Sequence, residues 1–142
     1  MLEEQTSAED AGDLDRVNVI QARLWLDGPL TEDGRVAGPA RQLFLDMNGA
    51  VLRAPPMKST LDTAPTFGRL GEIGVPTLVL WGDLDFPHIQ ERCRLVAKAL
   101  PNGRAHMMTG AAHLPSLDQP GATTALILSF LKNVTDAQLA IG

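Results

Sequence analysis

Cysteine, clusters of basic residues and long apolar runs are all scarce in this sequence, and each scarcity excludes a class of protein. Cys93 is the single cysteine, so no internal disulfide can form, which fits a reducing cytoplasm. No apolar run approaches the roughly 20 residues that a membrane helix needs, and the acidic N-terminus lacks the apolar segment of a signal peptide. The sequence therefore predicts a soluble, cytoplasmic protein with no membrane partner.

The charge balance is acidic, with a net charge of −5 from 12 Lys and Arg against 17 Asp and Glu. Because polyanions are not drawn to an acidic body without a basic patch, we expect no nucleic-acid partner. Hydrophobic residues make up 44% of the 142 residues, which is typical of one globular domain. Acidic residues crowd the N-terminus, and a solvated helix face explains them most simply: Glu3, Glu4, Glu9, Asp10, Asp13 and Asp15.

The first part of the chain, residues 1–54, has the apolar spacing of helices. Val17, Ile20, Leu24 and Trp25 predict one amphipathic helix that stops at Gly28-Pro29. The loop T-E-D-G-R-V-A-G-P separates it from a second predicted helix, whose apolar residues are Leu43, Phe44, Met47, Val51 and Leu52. A proline-containing connector follows over residues 55–75, with four residues expected to be buried: Leu61, Phe67, Leu70 and Ile73.

The character of the chain changes after residue 75. The apolar run Thr77–Trp81 does not alternate, which predicts a parallel strand buried on both faces. A helix is predicted from about His88 to Leu100, then a strand over Arg104–Thr109 and a final helix opened by Asp118 and Pro120. We expect one face of that helix to be lined by Ala122, Ala125, Leu126, Ser129 and Phe130. A strand–helix–strand–helix order implies parallel strands covered by helices.

Three chemically capable residues follow the two predicted strands: Asp83, Asp85 and His113. In open parallel sheets, functional groups collect beyond the carboxyl ends of the strands, so these side chains are expected at one edge. An Asp that accepts the Nδ1–H of a His leaves Nε2 free to act as a general base.

Simpler explanations exist for each of these residues. Asp85 can cap the following helix, and Asp83 beside Gly82 suits a turn. The Asp-x-Asp spacing also permits a divalent metal bound together with a nucleotide sugar, although the sequence has no phosphate-cradling glycine loop to complete such a site. A lone histidine is usually an ordinary surface or core residue.

Taken together, these segments resemble the C-terminal half of an α/β-hydrolase. The pattern runs from I-G-V-P-T-L-V-L-W-G-D-L-D-F-P through R-A-H-M-M-T-G-A-A-H-L-P-S-L-D-Q-P to L-I-L-S-F-L. In that family a strand ends in G-x-x-D, which carries the acid of a catalytic triad, and the next strand leads into G-x-x-H, which carries the histidine. The resemblance implies that Asp85 is the acid and His113 the histidine. It is closest to small-molecule hydrolases of the enol-lactonase and proline-iminopeptidase type, and it implies no cofactor and no metal.

The resemblance also implies a division of the chain. Residues 1–68 correspond to a helical cap region with its connector, and residues 69–142 to the C-terminal part of the hydrolase core. An apolar pocket could be lined by five cap residues, although a core role is the simpler explanation for each: Trp25, Phe44, Met47, Met57 and Phe67.

The nucleophile of the family is missing from the pattern. Its serine lies on a G-x-S-x-G elbow, and the triad follows the order Ser, acid, His. None of the four serines, Ser7, Ser59, Ser116 and Ser129, lies in such an elbow, and Cys93 falls at an apolar position within a predicted helix. We therefore expect the chain to begin where the cap begins and to be inactive alone.

Two functions remain open at this point. One is a serine hydrolase acting on an ester, lactone or amide of a small molecule, with the nucleophile supplied outside this chain. The other is a non-catalytic remnant that binds a ligand or associates with another subunit. Because a remnant with two parallel strands exposes apolar surface, marginal stability, self-association or a complementing N-terminal half is expected.

Overall fold

The computed structural model describes residues 2–55 and 66–139 of the chain. In chain order the elements are α1 (Leu2–Asp10), α2 (Leu14–Gln21), a π-helical segment (Ala22–Asp27), α3 (Pro39–Arg53), a 3₁₀ segment (Thr66–Glu72), β1 (Thr77–Gly82), α4 (Pro87–Ala99), β2 (Gly103–Met108), α5 (Pro115–Asp118) and α6 (Pro120–Leu139). The predicted α/β class is confirmed, with a helical region followed by strand–helix–strand–helix. Predictions that involve Met57, Ser59 and Leu61 lie outside the described residues.

The helical region begins from local signals. The Asp13 side chain accepts a hydrogen bond from the backbone N–H of Arg16 at 3.0 Å and so caps α2. The helix then continues into the π-helical segment and ends at Gly28, whose φ of +98° suits glycine. The predicted stop at Gly28-Pro29 is therefore confirmed.

The sheet has two strands among the described residues, and they run parallel. Its register pairs Thr77 with Gly103 at one end and Gly82 with Met108 at the other. The crossover between the strands is α4, which packs against both of them. Parallel strands need such a crossover, and the order predicted from the sequence is confirmed here.

Full burial of the first strand was a wrong prediction. In β1 only Trp81 and Gly82 are buried, while residues 77–80 are partly exposed, and most of β2 is exposed. The physical reason is that burial on both faces requires neighbouring strands and a second covering layer. Within the described part of the chain, the sheet has only two strands.

The predicted burial of the connector fails for two of its described residues. Phe67 is 58% exposed and Ile73 is exposed, with Leu70 half-buried. On α6, Thr123 is buried and Leu126 and Phe130 are half-buried, whereas three residues of the predicted face are exposed: Ala122, Ala125 and Ser129. An apolar pattern predicts which face can be buried, and burial itself depends on what packs against that face.

The buried cluster lies where the helical region meets the segment after β2. Ala22, Leu26, Val36 and Phe44 form it, and the residues packed against it include Trp25, Leu114 and Leu117. The cluster and the residues packed against it come from both predicted parts of the chain, residues 1–68 and 69–142. The boundary between these two parts stays a prediction. No helix in the described ranges combines the length and apolarity needed to cross a bilayer.

Candidate active site

The turn after β1 holds Asp85 in the interior. Its side chain is 2% exposed, and its Oδ1 accepts a hydrogen bond from the backbone N–H of Phe86 at 2.7 Å. The amide of Gln90 donates to the backbone oxygens of Asp83 and Asp85 at 2.9 and 2.8 Å, which ties the turn to α4. Because Phe86 occupies the N-cap position of α4 and no side chain caps the helix there, Asp85 does not have the capping role that was the simpler alternative.

The Asp83 side chain joins the turn after β1 to the loop after β2. Its Oδ1 accepts a hydrogen bond from the backbone N–H of Gly110 at 2.7 Å. The backbone N–H of Leu84 donates to the carbonyl of Ala111 at 3.0 Å, so the two loops are joined at several points. The carboxylates of Asp83 and Asp85 thus have separate partners, and among the described residues no group of three or more His, Cys, Asp or Glu is arranged to hold a metal ion.

The loop after β2 brings His113 to Asp85. The Nδ1 atom of His113 lies 2.8 Å from Oδ2 of Asp85, and the His113 side chain is 37% exposed. The two residues, which are 28 positions apart, therefore form a carboxylate–imidazole pair with one buried and one accessible member. With Nδ1 protonated, the ring donates to Asp85 and its Nε2 lies on the opposite side, where it can accept a proton.

Trp25 packs beside the imidazole of this pair, with Phe86 behind it. The Trp25 ring centroid lies 4.7 Å from that of His113 and 5.2 Å from that of Phe86, both at an interplanar angle of 56°. Such tilted contacts are favourable aromatic arrangements. Trp25 comes from the π-helical segment, and π-helical turns are often found at functional sites.

The end of that segment lies directly on both loops. A β-carbon on Gly28 would lie 2.5 Å from the carbonyl oxygen of Leu84 and 3.0 Å from the β-carbon of Ala112. Only glycine allows the backbone to come so close. The helical region is therefore in contact with both the turn after β1 (residues 83–86, the acid turn) and the loop after β2 (residues 109–114, the histidine loop).

Three residues of this arrangement were missed by reasoning from the sequence: Arg35 and Asp118 in an ion pair, and Gln90 under the acid turn. Trp25 was predicted only as a possible pocket residue, with a core role as the simpler explanation, and its contact with the imidazole was not foreseen. Arg35 and Gln90 had no distinguishing signal. Asp118 lies in the L-P-S-L-D-Q-P continuation, which the resemblance included without giving it a role.

An apolar cleft of about 460 Å³ adjoins the histidine loop. Phe44 and Met47, both predicted as pocket residues, line it together with Asn48, Val51, Leu114, Ser116 and Leu117. Trp25 instead contacts His113, and Phe67 lines a different cleft beside α4.

The nucleophile candidates among the described residues lie on helices, and Ser59 lies outside that part of the chain. Ser7 is in α1, where its hydroxyl donates to the Glu3 carbonyl, and Ser116 and Ser129 are exposed in α5 and α6. Cys93 is half-buried within α4. Burial raises the pKa of the Cys93 thiol above its ordinary 9.0, and the negative charge of Asp85 raises it further, which disfavours the reactive thiolate.

The two parallel strands, with Asp85 and His113 in the turns that follow them, are the features that the chain shares with a known fold. Comparison with solved structures shows that the chain has part of the α/β-hydrolase fold. Comparison with profiles of known protein families gave no match.

Three relatives support this assignment. MenH from S. aureus superposes with a TM-score of 0.60 and 20% identity over 94% of this chain and 53% of its own. BpoC from Mycobacterium tuberculosis H37Rv, assigned as a non-heme bromoperoxidase, superposes with a TM-score of 0.52 and 24% identity. The match covers 93% of this chain and 51% of BpoC. A 2-hydroxy-6-oxononadienedioate/2-hydroxy-6-oxononatrienedioate hydrolase of Cupriavidus pinatubonensis is 36% identical over 66 residues, which are 46% of this chain and 22% of that protein. The chain thus spans about half the length of the solved structures it matches.

Proposed function

We propose that this chain carries the acid and base of an α/β-hydrolase active site that cleaves an ester, lactone or amide bond of a small molecule. Asp85 is the acid, His113 is the general base, and a serine outside this chain is the nucleophile. The observation that carries the proposal is the 2.8 Å contact between Asp85 Oδ2 and His113 Nδ1 beyond the carboxyl ends of two parallel strands.

The environment of the pair supports this role. A carboxylate that is 2% exposed and accepts from the Phe86 backbone N–H is held in one orientation. The imidazole is partly accessible. A general base must be accessible because it exchanges protons with a nucleophile and a leaving group.

The proposed chemistry follows from these positions. The serine oxygen attacks the carbonyl carbon of the substrate while His113 Nε2 accepts the serine proton. Asp85 stabilises the resulting imidazolium. His113 then returns the proton to the leaving oxygen or nitrogen as the acyl–serine ester forms. Water, activated by the same nitrogen, hydrolyses that ester and regenerates the serine.

The cleft beside the histidine loop supports an apolar substrate portion. Phe44, Met47, Val51 and Leu114 line it, while Asn48 and Ser116 offer a few polar groups. Pockets for small molecules are commonly built in this way, with a mostly apolar lining and a small number of polar groups. We propose that this cleft takes the apolar part of the acyl group.

The test expresses the chain together with the coding sequence directly upstream of it and measures ester and lactone hydrolysis. We expect an in-frame G-x-S-x-G whose serine reacts with a fluorophosphonate probe. The Asp85→Asn and His113→Gln variants should lower kcat by about 10³- to 10⁴-fold. The chain alone should stay unlabelled, and stoichiometric labelling of Ser116 or Ser129 would count against the proposal.

Exposed apolar surface favours a second candidate function, that of an association module. Three residues of α6 form an apolar stripe at helical spacing: Ile127, Leu128 and Leu131. Together with the largely exposed β2, this surface suits a second copy of the chain or a complementing hydrolase segment. Sedimentation tests association with a second copy, because a compact monomer at micromolar concentration would contradict it.

A further inference from the structure

The Arg35 guanidinium is fully engaged although it comes from an irregular loop. Its Nε donates to the carbonyl of Asp27 at 2.7 Å. Its Nη1 donates to the Gly110 carbonyl at 2.8 Å and to Asp118 Oδ1 at 3.1 Å. Its Nη2 donates to the Leu26 carbonyl at 2.8 Å and to Asp118 Oδ2 at 2.5 Å. An arginine has five N–H donors in a planar fork, and all of them are used here.

The partners of Arg35 lie on both sides of His113 in the chain. Gly110 precedes the histidine and Asp118 follows it, and Asp118 Oδ2 also accepts from the backbone N–H of Ala112 at 3.3 Å. Arg35 therefore bonds to the chain on both sides of His113, at Gly110 within the loop and at Asp118 at the end of α5. The Asp118 side chain is 6% exposed and that of Arg35 22%, so water screens their ion pair only partly.

The other two partners of Arg35 fix the loop to the helical region. Leu26 and Asp27 belong to the π-helical segment, which also carries Trp25. Because Trp25 packs against the imidazole of His113, any slip of the loop along this segment would move the ring relative to Trp25 and to Asp85.

We propose that Arg35 is a positioning residue for His113, acting through Gly110 and Asp118. The inference rests on the role proposed for His113 above. A lysine cannot replace Arg35, since an ammonium group has three donors on a single nitrogen. It cannot bridge acceptors on two segments in this planar arrangement. The fork geometry is thus the property on which the position of the imidazole depends.

The test compares Arg35→Lys with Arg53→Lys, a matched change in an exposed ion pair with Asp15. The readout is the imidazole ¹H and ¹⁵N NMR signals of His113, assigned with His113→Gln. In Arg35→Lys we expect the Nδ1–H resonance to exchange with water at least about 10-fold faster and the ring signals to shift away from the Trp25 ring current. Arg53→Lys should leave both unchanged.

A rescue experiment separates positioning from general stability. Added guanidinium at low millimolar concentration should restore the His113 signals of Arg35→Ala, whereas ammonium should not. If Arg35→Lys does not fold, Asp118→Asn decides in the same way, since it removes the charge and one acceptor of the fork. Wild-type His113 signals in the folded variant would overturn the inference. Because these measurements read geometry and not turnover, they stand even if hydrolysis is never found.

Discussion

Gly82 lies so close to Ala111 that a β-carbon on the glycine would stand 2.0 Å from the Ala111 carbonyl oxygen. Gly82 ends β1, and Ala111 belongs to the loop that carries His113. This approach lets the acid turn and the histidine loop meet. The glycine of the G-x-x-D motif is therefore required by packing between the end of β1 and the histidine loop, beyond its value in a turn.

The first prediction is that Gly82→Ala destabilises the fold and separates the pair. The added carbon meets backbone atoms, which cannot move aside as a flexible side chain can, so we expect the free energy of unfolding to fall by about 3 kcal/mol. Urea denaturation measures the change. Gly121→Ala is the control, because a β-carbon there meets nothing within 4 Å, and it should change stability by less than about 1 kcal/mol. Equal stability of both variants would refute the packing argument.

The second prediction concerns Asp27, which is fully buried and pairs with Arg41 at 2.8 Å. Burial alone raises the pKa of this carboxyl. Hydrogen bonds from Arg41 and from the backbone N–H groups of Val36 and Gly34 outweigh that effect, so its pKa lies below the ordinary 3.8. A depressed pKa contributes stability that is present above pH 3.8 and is lost as the pH falls through the folded-state value.

Asp27→Asn should therefore lower the free energy of unfolding near neutral pH by about 3 kcal/mol, since Arg41 loses its buried partner. The acid limb of the stability curve should also become shallower, because one carboxylate no longer titrates there. Denaturation measured from pH 7 to pH 3 tests both points, with the exposed Asp46→Asn as control. A parallel acid limb in wild type and Asp27→Asn would contradict this account.

The third prediction concerns the apolar stripe of α6. Replacing Leu128 and Leu131, which are 61% and 51% exposed, with lysine should weaken self-association by about 10-fold or more without lowering the thermal midpoint. Leu30→Lys, at a similarly exposed loop position, should have no effect on association. Sedimentation velocity over a concentration series gives the dissociation constants. Unchanged association in the double variant would show that the α6 stripe is not the interface.

The fourth prediction concerns Cys93. Because burial and the charge of Asp85 raise the pKa of its thiol, iodoacetamide should alkylate it more slowly at neutral pH than it alkylates free cysteine. Asp85→Asn should raise the alkylation rate, whereas Asp46→Asn on α3 should not, since the Asp46 charge does not act on the thiol. Mass spectrometry follows both reactions. A rate equal to that of free cysteine would contradict a raised pKa of the Cys93 thiol.

Much of the local structure could be predicted because its signals are local. The apolar run before Gly82 and the helical spacing from His88 to Leu100 predict the strand and helix boundaries within a residue or two. The order of these elements also places Asp85 and His113 at one sheet edge, where they lie in contact.

The parts that could not be predicted depend on partners distant in sequence. Arg35 and Asp118 are 83 positions apart, and nothing in either local pattern indicates the other. The exposure of β1 and α6 was missed for a related reason. An apolar pattern indicates a face that can be buried, but it does not say which layer covers that face.

The most direct test of the central claim is the tautomer of His113 in mildly alkaline buffer, read from its imidazole ¹⁵N shifts. The account predicts a neutral ring protonated at Nδ1, with Nε2 free of a proton, and a loss of that preference in Asp85→Asn. A ring protonated at Nε2, or the same shifts in wild type and Asp85→Asn, would contradict the assignment of Asp85 and His113 as the acid and base of a hydrolase site.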